Sequence, residues 1–340
     1  MTTRSDTERG FMMLTLCIAL VACTASGPQP AAIAAVGTAG APPLLATSAA
    51  GVASYAGCPV FTPNDTYNAV VANLPLDPKS AAYIASMRDA GNTAGFYAST
   101  GVEQVNLANA ATPKLSVAPR VRWHSFPVPI PWQPGFYIEP LSDRHAMVVD
   151  AAGCRLYETY DTRFSAGMLS AYSGANWDMT KPFAPLPPGK PSAMASGLSL
   201  FAGMVRWEDY QSGAIRHALN WAAIAHTASQ YGFVRPASDT DQLPFRGTSS
   251  LQLPYGARLR LHADFSTAGW GPQATMVVNA MKTYGVFLAD TGASGNALYF
   301  ANAPDGSNPW NKADLAALSK IRIDDFDVVR LGPAMKVPGH

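Results

Sequence analysis

The stretch 141–161 constrains the fold more than any other part of the chain. Two segments within it, 143–150 and 154–161, alternate with the two-residue period of a β-strand. A turn at 150–153, which ends in Gly153, predicts the loop of a β-hairpin between them. The sequence therefore predicts an antiparallel strand pair near the middle of the chain.

The register of this hairpin decides which side chains meet. If Val149 pairs with Cys154, His145 lies opposite Glu158. Opposed residues in an antiparallel pair have Cβ atoms about 4.5–5.5 Å apart, which allows an imidazole and a carboxylate to share a hydrogen bond. One face of the hairpin is then predicted to carry four polar side chains: Asp143, His145, Glu158 and Tyr160.

This polar face has two interpretations. A histidine held by one carboxylate, with a second carboxylate beside it, can act as a general acid and base or bind a divalent metal. The alternative is a solvent-facing strand pair with one ion pair, worth at most about 1 kcal/mol. On the first interpretation Asp143, His145 and Glu158 are the catalytic candidates, and Tyr160 contacts the substrate. A register shift of one residue would move His145 to the other face.

Composition argues against one class of partner and leaves another open. The 340 residues are enough for one large domain or two smaller ones. Their net charge is +1 and they contain no basic run, which argues against nucleic acid, since phosphate binding needs clustered Lys and Arg. With 7 Trp and 13 Tyr, aromatic side chains are numerous enough to line a glycan cleft, although core packing is their commoner use.

The N-terminal segment is typical of an exported protein. The apolar run 11–23 is too short to span a bilayer and has the length of a signal-peptide core. Its end, 20–23 (LVAC), resembles a bacterial lipobox, which implies that residues 1–22 are a signal peptide and that Cys23 is lipidated. Thr24 at the next position resembles lipoproteins of the outer membrane, facing the periplasm or the cell surface. An ordinary signal peptide or an uncleaved anchor is the alternative.

A tether is predicted between the lipid anchor and the folded body. The stretch 24–64 contains no Asp, Glu, Lys or Arg. We interpret 23–56 as the lipidated cysteine and a disordered tether, whose root-mean-square span is about 30–35 Å. Residues 57–340 then form a single globular domain. Export lets a disulfide between Cys58 and Cys154 persist, which stabilises the fold by about 2–4 kcal/mol.

The remaining pattern predicts a mainly β fold. Helix starts are indicated near Pro78, Pro272 and Asn311, whereas many other segments alternate as strands. The regular strand–helix alternation of a parallel sheet is absent from the sequence pattern. We predict an α+β protein with a β-sandwich or jelly-roll-like core, a few short helices and long loops.

Several motifs together resemble a known family. In chain order they are FTPNDTYNAVV, LPLDPKSAAYI, SDRHAMVVDAAGCRLYETY, YSGANWDM, GMVRWEDYQSGAIRHALNW, LPYGARLRL, MKTYGVFLADTG and LYFANAPD. They resemble a family of secreted bacterial and fungal proteins that often carry wall- or glycan-associated modules and have no established activity. The resemblance covers roughly 59–331 and implies an exported β-rich domain. It also directs attention to the motif residues Asp143, His145, Glu158, Asp178 and His217.

One position departs from the family pattern. The family leads us to expect Asp at the third position of a Ser-Ala-Asp segment, but this chain has Met194 after Ser192 and Ala193. If that Asp is catalytic in the family, this chain is a binding form or an inactive form.

Other polar residues have both a functional and a structural interpretation. Trp177 and Asp178 place a carboxylate beside an indole that could stack on a sugar, or they are a buried Trp and a turn Asp. His217 contacts substrate, or it is a hydrogen-bonded core histidine. The strand-end residues Asp264 and Asp290 are interpreted as surface or structural residues.

No cofactor is predicted, because the sequence contains no GxSxG, HExxH, P-loop, GxGxxG, EF-hand or paired CxxC motif. A divalent metal stays open without a motif to indicate it. The leading hypothesis is a polysaccharide hydrolase or lyase with the Asp/His/Glu cluster as its acid–base centre. The alternative is a non-catalytic glycan-binding or cell-envelope interaction protein.

Overall fold

Strands and a few short helices make up the part of the chain that the computed structural model describes, which is 51–121, 126, 128–292 and 295–340. The predicted signal peptide, Cys23 and most of the predicted tether lie outside these residues. The strands, in chain order, are β1 (Ser54–Tyr55), β2 (Cys58–Pro59), β3 (Phe96–Glu103), β4 (Val105–Ala108), β5 (Lys114–Leu115), β6 (Val117–Pro119), β7 (Ile130–Pro131), β8 (Ala146–Asp150), β9 (Arg155–Tyr160), β10 (Arg163–Ser165), β11 (Met168–Ala171), β12 (Ser173–Asp178), β13 (Leu219–Ile224), β14 (Gly232–Phe233), β15 (Arg258–Leu261), β16 (Val286–Gly292), β17 (Asn296–Ala301), β18 (Phe326–Val328) and β19 (Met335–Lys336). The helices are α1 (Ser80–Asp89), α2 (Trp207–Gln211), α3 (Pro272–Thr283) and α4 (Lys312–Leu315), and 3₁₀ turns lie at Ala316–Lys320 and Ile323–Asp325.

A six-stranded mixed sheet, in the order β18-β15-β16-β13-β17-β3, organises the fold. Its central strands β13 and β16 run parallel. Almost all of β13 and the first four residues of β16 are buried and mostly apolar, as expected for strands that are covered on both faces. Helices α1 and α3 cover one face through a shared hydrophobic core that includes Met87, Trp221 and Val277. Pro272 at the start of α3 confirms the helix start that the sequence indicated.

A four-stranded sheet, β12-β9-β8-β4, lies against the other face of the six-stranded sheet and contains the predicted hairpin. The two sheets share one hydrophobic core, to which Met147, Leu156 and Phe287 contribute. The opposite face of the four-stranded sheet packs against a small sheet, β10-β11-β6, around Trp132. The hairpin strands are therefore buried on both faces, which explains why every residue of β8 is buried.

The predicted hairpin register is wrong by two residues. The structure pairs Val149 with Leu156 and Met147 with Glu158, and the loop is 151–154. Cys154 belongs to this loop because it adopts a positive φ of 47° and is bonded to Cys58. A shift of two residues keeps the paired side chains on their predicted faces. The predicted first strand is three residues too long, because β8 begins at Ala146, and His145 therefore has no position opposite Glu158.

The prediction of a β-rich α+β fold is confirmed, because the described residues form strands in several sheets and a few short helices. Parallel pairs occur in both larger sheets, so their strand order is not the antiparallel order of a jelly roll. Strand β1 pairs with β2, and Tyr55 is buried, so the folded body begins a few residues before the predicted boundary at Gly57. Within the described ranges, no helix is both long and apolar enough to cross a membrane.

The predicted disulfide between Cys58 and Cys154 is present and joins β2 to the hairpin loop across 96 residues of sequence. Cross-linking two distant points restricts the unfolded chain, so we expect the Cys58→Ala/Cys154→Ala variant to lose about 2–5 kcal/mol of unfolding free energy. Urea unfolding of the variant and the wild type measures this loss. Wild-type protein unfolded with a reducing agent present should match the variant, and equal stability of the oxidised wild type and the variant would contradict the prediction.

Candidate functional site

A cleft of about 850 Å³ opens where β3, the start of the hairpin and the ends of β16 and β17 come together. Two loops, 189–195 and 239–242, complete its wall. The wall is rich in carboxylates and tyrosines, a combination suited to binding a polar ligand. Its ionisable and aromatic side chains are those of Glu103, Glu139, Asp143, His145, Asp161, Asp239, Asp241, Asp290, Lys190, Tyr97, Tyr160, Tyr172 and Tyr299.

Asp290 reaches this cleft because of an irregularity in β16. Leu288 pairs with Trp221, but the next partner on β13, Ala222, pairs with Asp290, so Ala289 is an extra residue. Regular alternation would place Asp290 on the face of Leu288, against the helices. The β-bulge instead places it on the face of Ala222, which also lines the cleft.

The surroundings of the Asp290 carboxyl group make it a candidate acid. It is partly exposed to the cleft and accepts hydrogen bonds from the main-chain N–H groups of Ala195 (3.1 Å) and Thr291 (2.8 Å). Burial raises the pKa of Asp290 to about 7 and outweighs the lowering effect of the two N–H groups, while the negative charge of Asp241 adds a smaller increase and His145 a smaller decrease. Near neutral pH this carboxyl group can therefore both donate and accept a proton.

Two more acidic residues lie on the loop beside Asp290. The Asp241 carboxylate accepts hydrogen bonds from the Thr291 hydroxyl and from the N–H of Leu243, the latter at 2.9 Å. Burial raises the pKa of Asp239 to about 6, although the Thr240 N–H and Lys190 act in the opposite direction. The Thr291 hydrogen bond ties this loop to the end of β16, so Asp241 and Asp290 are held on one side of the cleft.

Tyrosines form the aromatic part of the wall. Tyr97 is 41% exposed and Tyr172 is 37% exposed. The Tyr160 ring lies 5.9 Å from the His145 ring and 6.0 Å from the Tyr172 ring, measured between centroids. Exposed aromatic rings at the edge of a polar cleft offer apolar faces on which a sugar ring can pack.

His145 is held by two glutamates in the cleft wall. Its Nδ1 lies 3.0 Å from Glu103 Oε1 and 3.0 Å from Glu139 Oε2. Carboxylates only accept hydrogen bonds, so Nδ1 carries the proton in its contact with Glu103. Burial lowers the pKa of His145, but the two carboxylates outweigh it and raise the pKa well above its usual range. Burial raises the pKa of Glu139, and its hydrogen bond with His145 more than reverses this.

Glu158 is not part of the cleft wall, contrary to the expected cluster. It is completely buried, and its carboxyl group accepts hydrogen bonds from the Ser199 hydroxyl (2.7 Å), the Leu200 N–H (2.9 Å) and the Phe201 N–H (2.9 Å). Burial raises the pKa of Glu158 to about 7, against the lowering effect of these donors. Glu158 therefore contacts the 199–201 segment, whereas His145 contacts Glu103 and Glu139.

The other predicted site residues separate into two groups. Asp143 and Tyr160 line the cleft with His145. Asp143 and His145 precede β8, which begins at Ala146, so the predicted strand face does not include them. Trp177 is buried and donates from Nε1 to the Ala184 carbonyl at 3.0 Å, so it offers no face to a sugar. Asp178 accepts hydrogen bonds from Thr180 and lies outside the cleft wall.

His217 is likewise absent from the cleft wall. It is fully buried, with Nδ1 2.9 Å from the Ala218 carbonyl and Nε2 3.2 Å from Asp209 Oδ2. Met194 does line the cleft, in a position that is 1% exposed, and its Sδ accepts a hydrogen bond from Asn220 at 3.2 Å. Met194, which stands where the family pattern predicted an Asp, precedes Ala195, and the Ala195 N–H donates a hydrogen bond to Asp290.

Sequence reasoning missed six of the seven acidic residues of the cleft, namely Glu103, Glu139, Asp161, Asp239, Asp241 and Asp290. Asp290 was interpreted as a surface or structural residue, and the bulge that turns it to the cleft has no local sequence signal. Glu139 carries a usable signal, because it is only six residues from His145. Glu103 is 42 residues from His145 and reaches it only through the packing of β3 beside β17.

No protein-family model, curated protein or solved structure matches the chain. The resemblance to secreted bacterial and fungal proteins therefore stays a prediction, and function is inferred below from the cleft.

Proposed function

We propose that the protein is an exported hydrolase that cleaves a neutral or amino-sugar polysaccharide, with Asp290 as its general acid. The observation that carries this proposal is a carboxyl group of pKa about 7 that faces a cleft lined with carboxylates and tyrosines. Perturbed carboxyl groups in clefts are frequent in acid–base catalysis. The substrate class is the polysaccharide predicted from the sequence, whereas the proposed general acid is Asp290 and not Glu158.

Glycosidic bond hydrolysis requires two carboxyl groups with different roles. Protonated Asp290 donates its proton to the leaving-group oxygen. Asp241, whose charge raises the pKa of Asp290, is the second carboxylate and activates water or attacks the sugar. The raised pKa of Asp290 lets it hold a proton near neutral pH, while Asp241 provides the negative charge. Hydrolysis needs two carboxyl groups that differ in this way.

The charge of the wall favours a hydrolase over a lyase. Seven acidic side chains line the cleft, and among its described residues Lys190 is the sole Lys or Arg. A lyase acts on uronic acids, whose own carboxylates would be repelled by this wall. Neutral sugars and protonated amino sugars meet no such repulsion, and the exposed rings of Tyr97 and Tyr172 can pack against them.

Export is supported by the disulfide, because such bonds persist in oxidising compartments and are rare in the cytosol. Anchoring through a lipidated Cys23 at the bacterial cell envelope remains part of the proposal. Radiolabelled palmitate incorporated into the wild type and not into Cys23→Ala would test the anchor independently of activity.

A second candidate function is glycan binding without turnover. Met194 favours it, because this cleft residue stands where the family pattern led us to expect an Asp. The two candidates share the cleft and differ in whether Asp290 performs chemistry.

A product-detecting screen decides between them. The purified protein is incubated with neutral, amino-sugar and uronic-acid polysaccharides, beside the Asp290→Asn variant and an Asp264→Asn control, whose carboxylate is exposed and outside the cleft. We expect new reducing ends from neutral or amino-sugar chains with the wild type and the control only. Unsaturated products from uronic-acid chains would contradict the hydrolase proposal, and saturable binding without products would identify a binding protein.

The pH dependence of turnover follows from the raised pKa of Asp290. The acid must be protonated, and its pKa is about 7, so turnover should fall about tenfold for each pH unit above that value. Initial rates at substrate concentrations well below KM, between pH 5 and pH 9, measure this limb, because kcat/KM reports the ionisation of the free enzyme. A rate that stays constant to pH 9 would show that Asp290 is not the acid.

A further inference from the structure

We propose a divalent metal site formed by Glu103, Glu139 and His145 in the wall of the cleft. The nitrogen and two oxygen atoms of this trio lie within 4.8 Å of one another. Both distances from His145 Nδ1 to a carboxylate oxygen are 3.0 Å. Ligand atoms about 2.0–2.2 Å from a zinc-like ion are separated by about 3.0–3.5 Å, so the trio needs little movement to bind one.

An unpaired oxygen atom provides a second, independent reason. Glu103 is only 3% exposed, and its Oε1 contacts His145. Its other oxygen, Oε2, is buried and has no hydrogen-bond partner among the described residues. A buried carboxylate oxygen without a partner is costly, and a cation bound by the same carboxylate would satisfy it.

The burial of the trio also suits a bound ion. Two carboxyl groups beside one imidazole place three possible donor atoms close together and away from bulk solvent. A metal binds an imidazole through a nitrogen lone pair, so binding at Nδ1 would release the proton of that atom to the solvent.

Main-chain hydrogen bonds hold the proposed ligands in place before a metal binds. Glu139 Oε2 accepts the main-chain N–H of His145 at 3.0 Å, and the Glu139 N–H donates to the His145 carbonyl at 2.8 Å. Glu103 ends β3, and its carbonyl accepts the Asn302 N–H at 2.7 Å. Ligands that are positioned before binding lose less conformational freedom when the metal enters.

The donor set identifies the kind of metal. One imidazole nitrogen with two carboxylates suits Zn²⁺ or Mn²⁺, whereas Ca²⁺ requires six to eight oxygen ligands. All three residues line the cleft, so an ion can enter from it and would present its free coordination positions to a ligand there. This site does not depend on the proposed hydrolysis, since a binding protein could use it equally.

Titration of the full chain with metal tests the site. Protein freed of metal with a chelator is titrated with Zn²⁺, Mn²⁺ and Ca²⁺ in a calorimeter, and its Tm is recorded with and without each ion. We expect one Zn²⁺ or Mn²⁺ per chain and a higher Tm in its presence. Glu103→Gln and Glu139→Gln preserve side-chain shape and should each weaken the Kd by about tenfold or more.

The control is Asp143→Asn, which removes an exposed carboxylate from the same cleft and should bind the metal like the wild type. Absence of saturable binding to the wild type would overturn the proposal, and this result does not depend on whether any variant folds. Equal weakening in Asp143→Asn and the glutamate variants would also overturn it, because it would indicate attraction to the general negative charge of the cleft. A preference for Ca²⁺ would overturn the assignment of the metal.

Discussion

Replacement of Asp290 by Asn should lower turnover about 10²–10⁴-fold, the range that a general acid contributes. Asn keeps the size of the side chain but has no proton to donate to a leaving group. The wild-type carboxyl group is suited to this role because burial raises its pKa to about 7. Steady-state rates on the substrate found in the polysaccharide screen measure the loss, and substrate affinity from calorimetry should change much less.

The design separates chemistry from folding. The Asp290 carboxyl group accepts hydrogen bonds from the N–H groups of Ala195 and Thr291. In the Asn variant the amide nitrogen can face one of these donors and destabilise the fold, so the Tm of the variant is recorded as well. Asp264→Asn provides a matched change on an exposed residue outside the cleft. Wild-type turnover by a folded Asp290→Asn variant would exclude Asp290 as the acid.

The Glu158→Ala variant should lose about 3–5 kcal/mol of unfolding free energy. The substitution leaves the Ser199 hydroxyl and the N–H groups of Leu200 and Phe201 without their acceptor in a completely buried place. Each unpaired buried donor costs about 1–3 kcal/mol, and the removed side chain also leaves a cavity. Urea unfolding at constant pH measures the loss, and a change below about 1 kcal/mol would show that the 199–201 segment does not depend on Glu158.

The Glu158→Gln variant is the matched control, and pH provides a second measurement. The folded-state pKa of Glu158 is raised from 4.5 to about 7, so the folded protein binds this proton more tightly than the unfolded chain does. Its contribution to stability therefore decreases as pH rises from about 4.5 to about 7. The free-energy difference between wild type and Glu158→Gln should shift in favour of the variant across that window, while turnover stays near that of the wild type. A loss of turnover as large as that in Asp290→Asn would return the catalytic centre to the hairpin.

Local sequence patterns predicted much of the fold. Alternation over 143–150 and 154–161 predicted the two hairpin strands, and Pro272 and Asn311 marked helix starts that the structure confirms. These features depend on residues close in sequence, so local periodicity and end signals are sufficient to find them. The hairpin register was missed by two residues, because Cys154 is held in the loop by a bond to Cys58, which is distant in sequence.

The sequence by itself determined the strand content, the faces of the hairpin and the two body cysteines that pair. It also predicted that Asp143, His145 and Tyr160 lie near one another, and all three line the cleft, although Asp143 and His145 precede β8. Alternation along a strand decides which residues share a face, whatever the rest of the chain does.

Only the tertiary structure decided what surrounds those residues. The bulge at Ala289 turned Asp290 into the cleft, and the packing of β3 brought Glu103 to His145. The packing of the 199–201 segment against β9 buried Glu158 among hydrogen-bond donors and away from the cleft. Contacts between residues distant in sequence, and the burial that shifts their pKa values, depend on how sheets and loops pack, which no local pattern encodes.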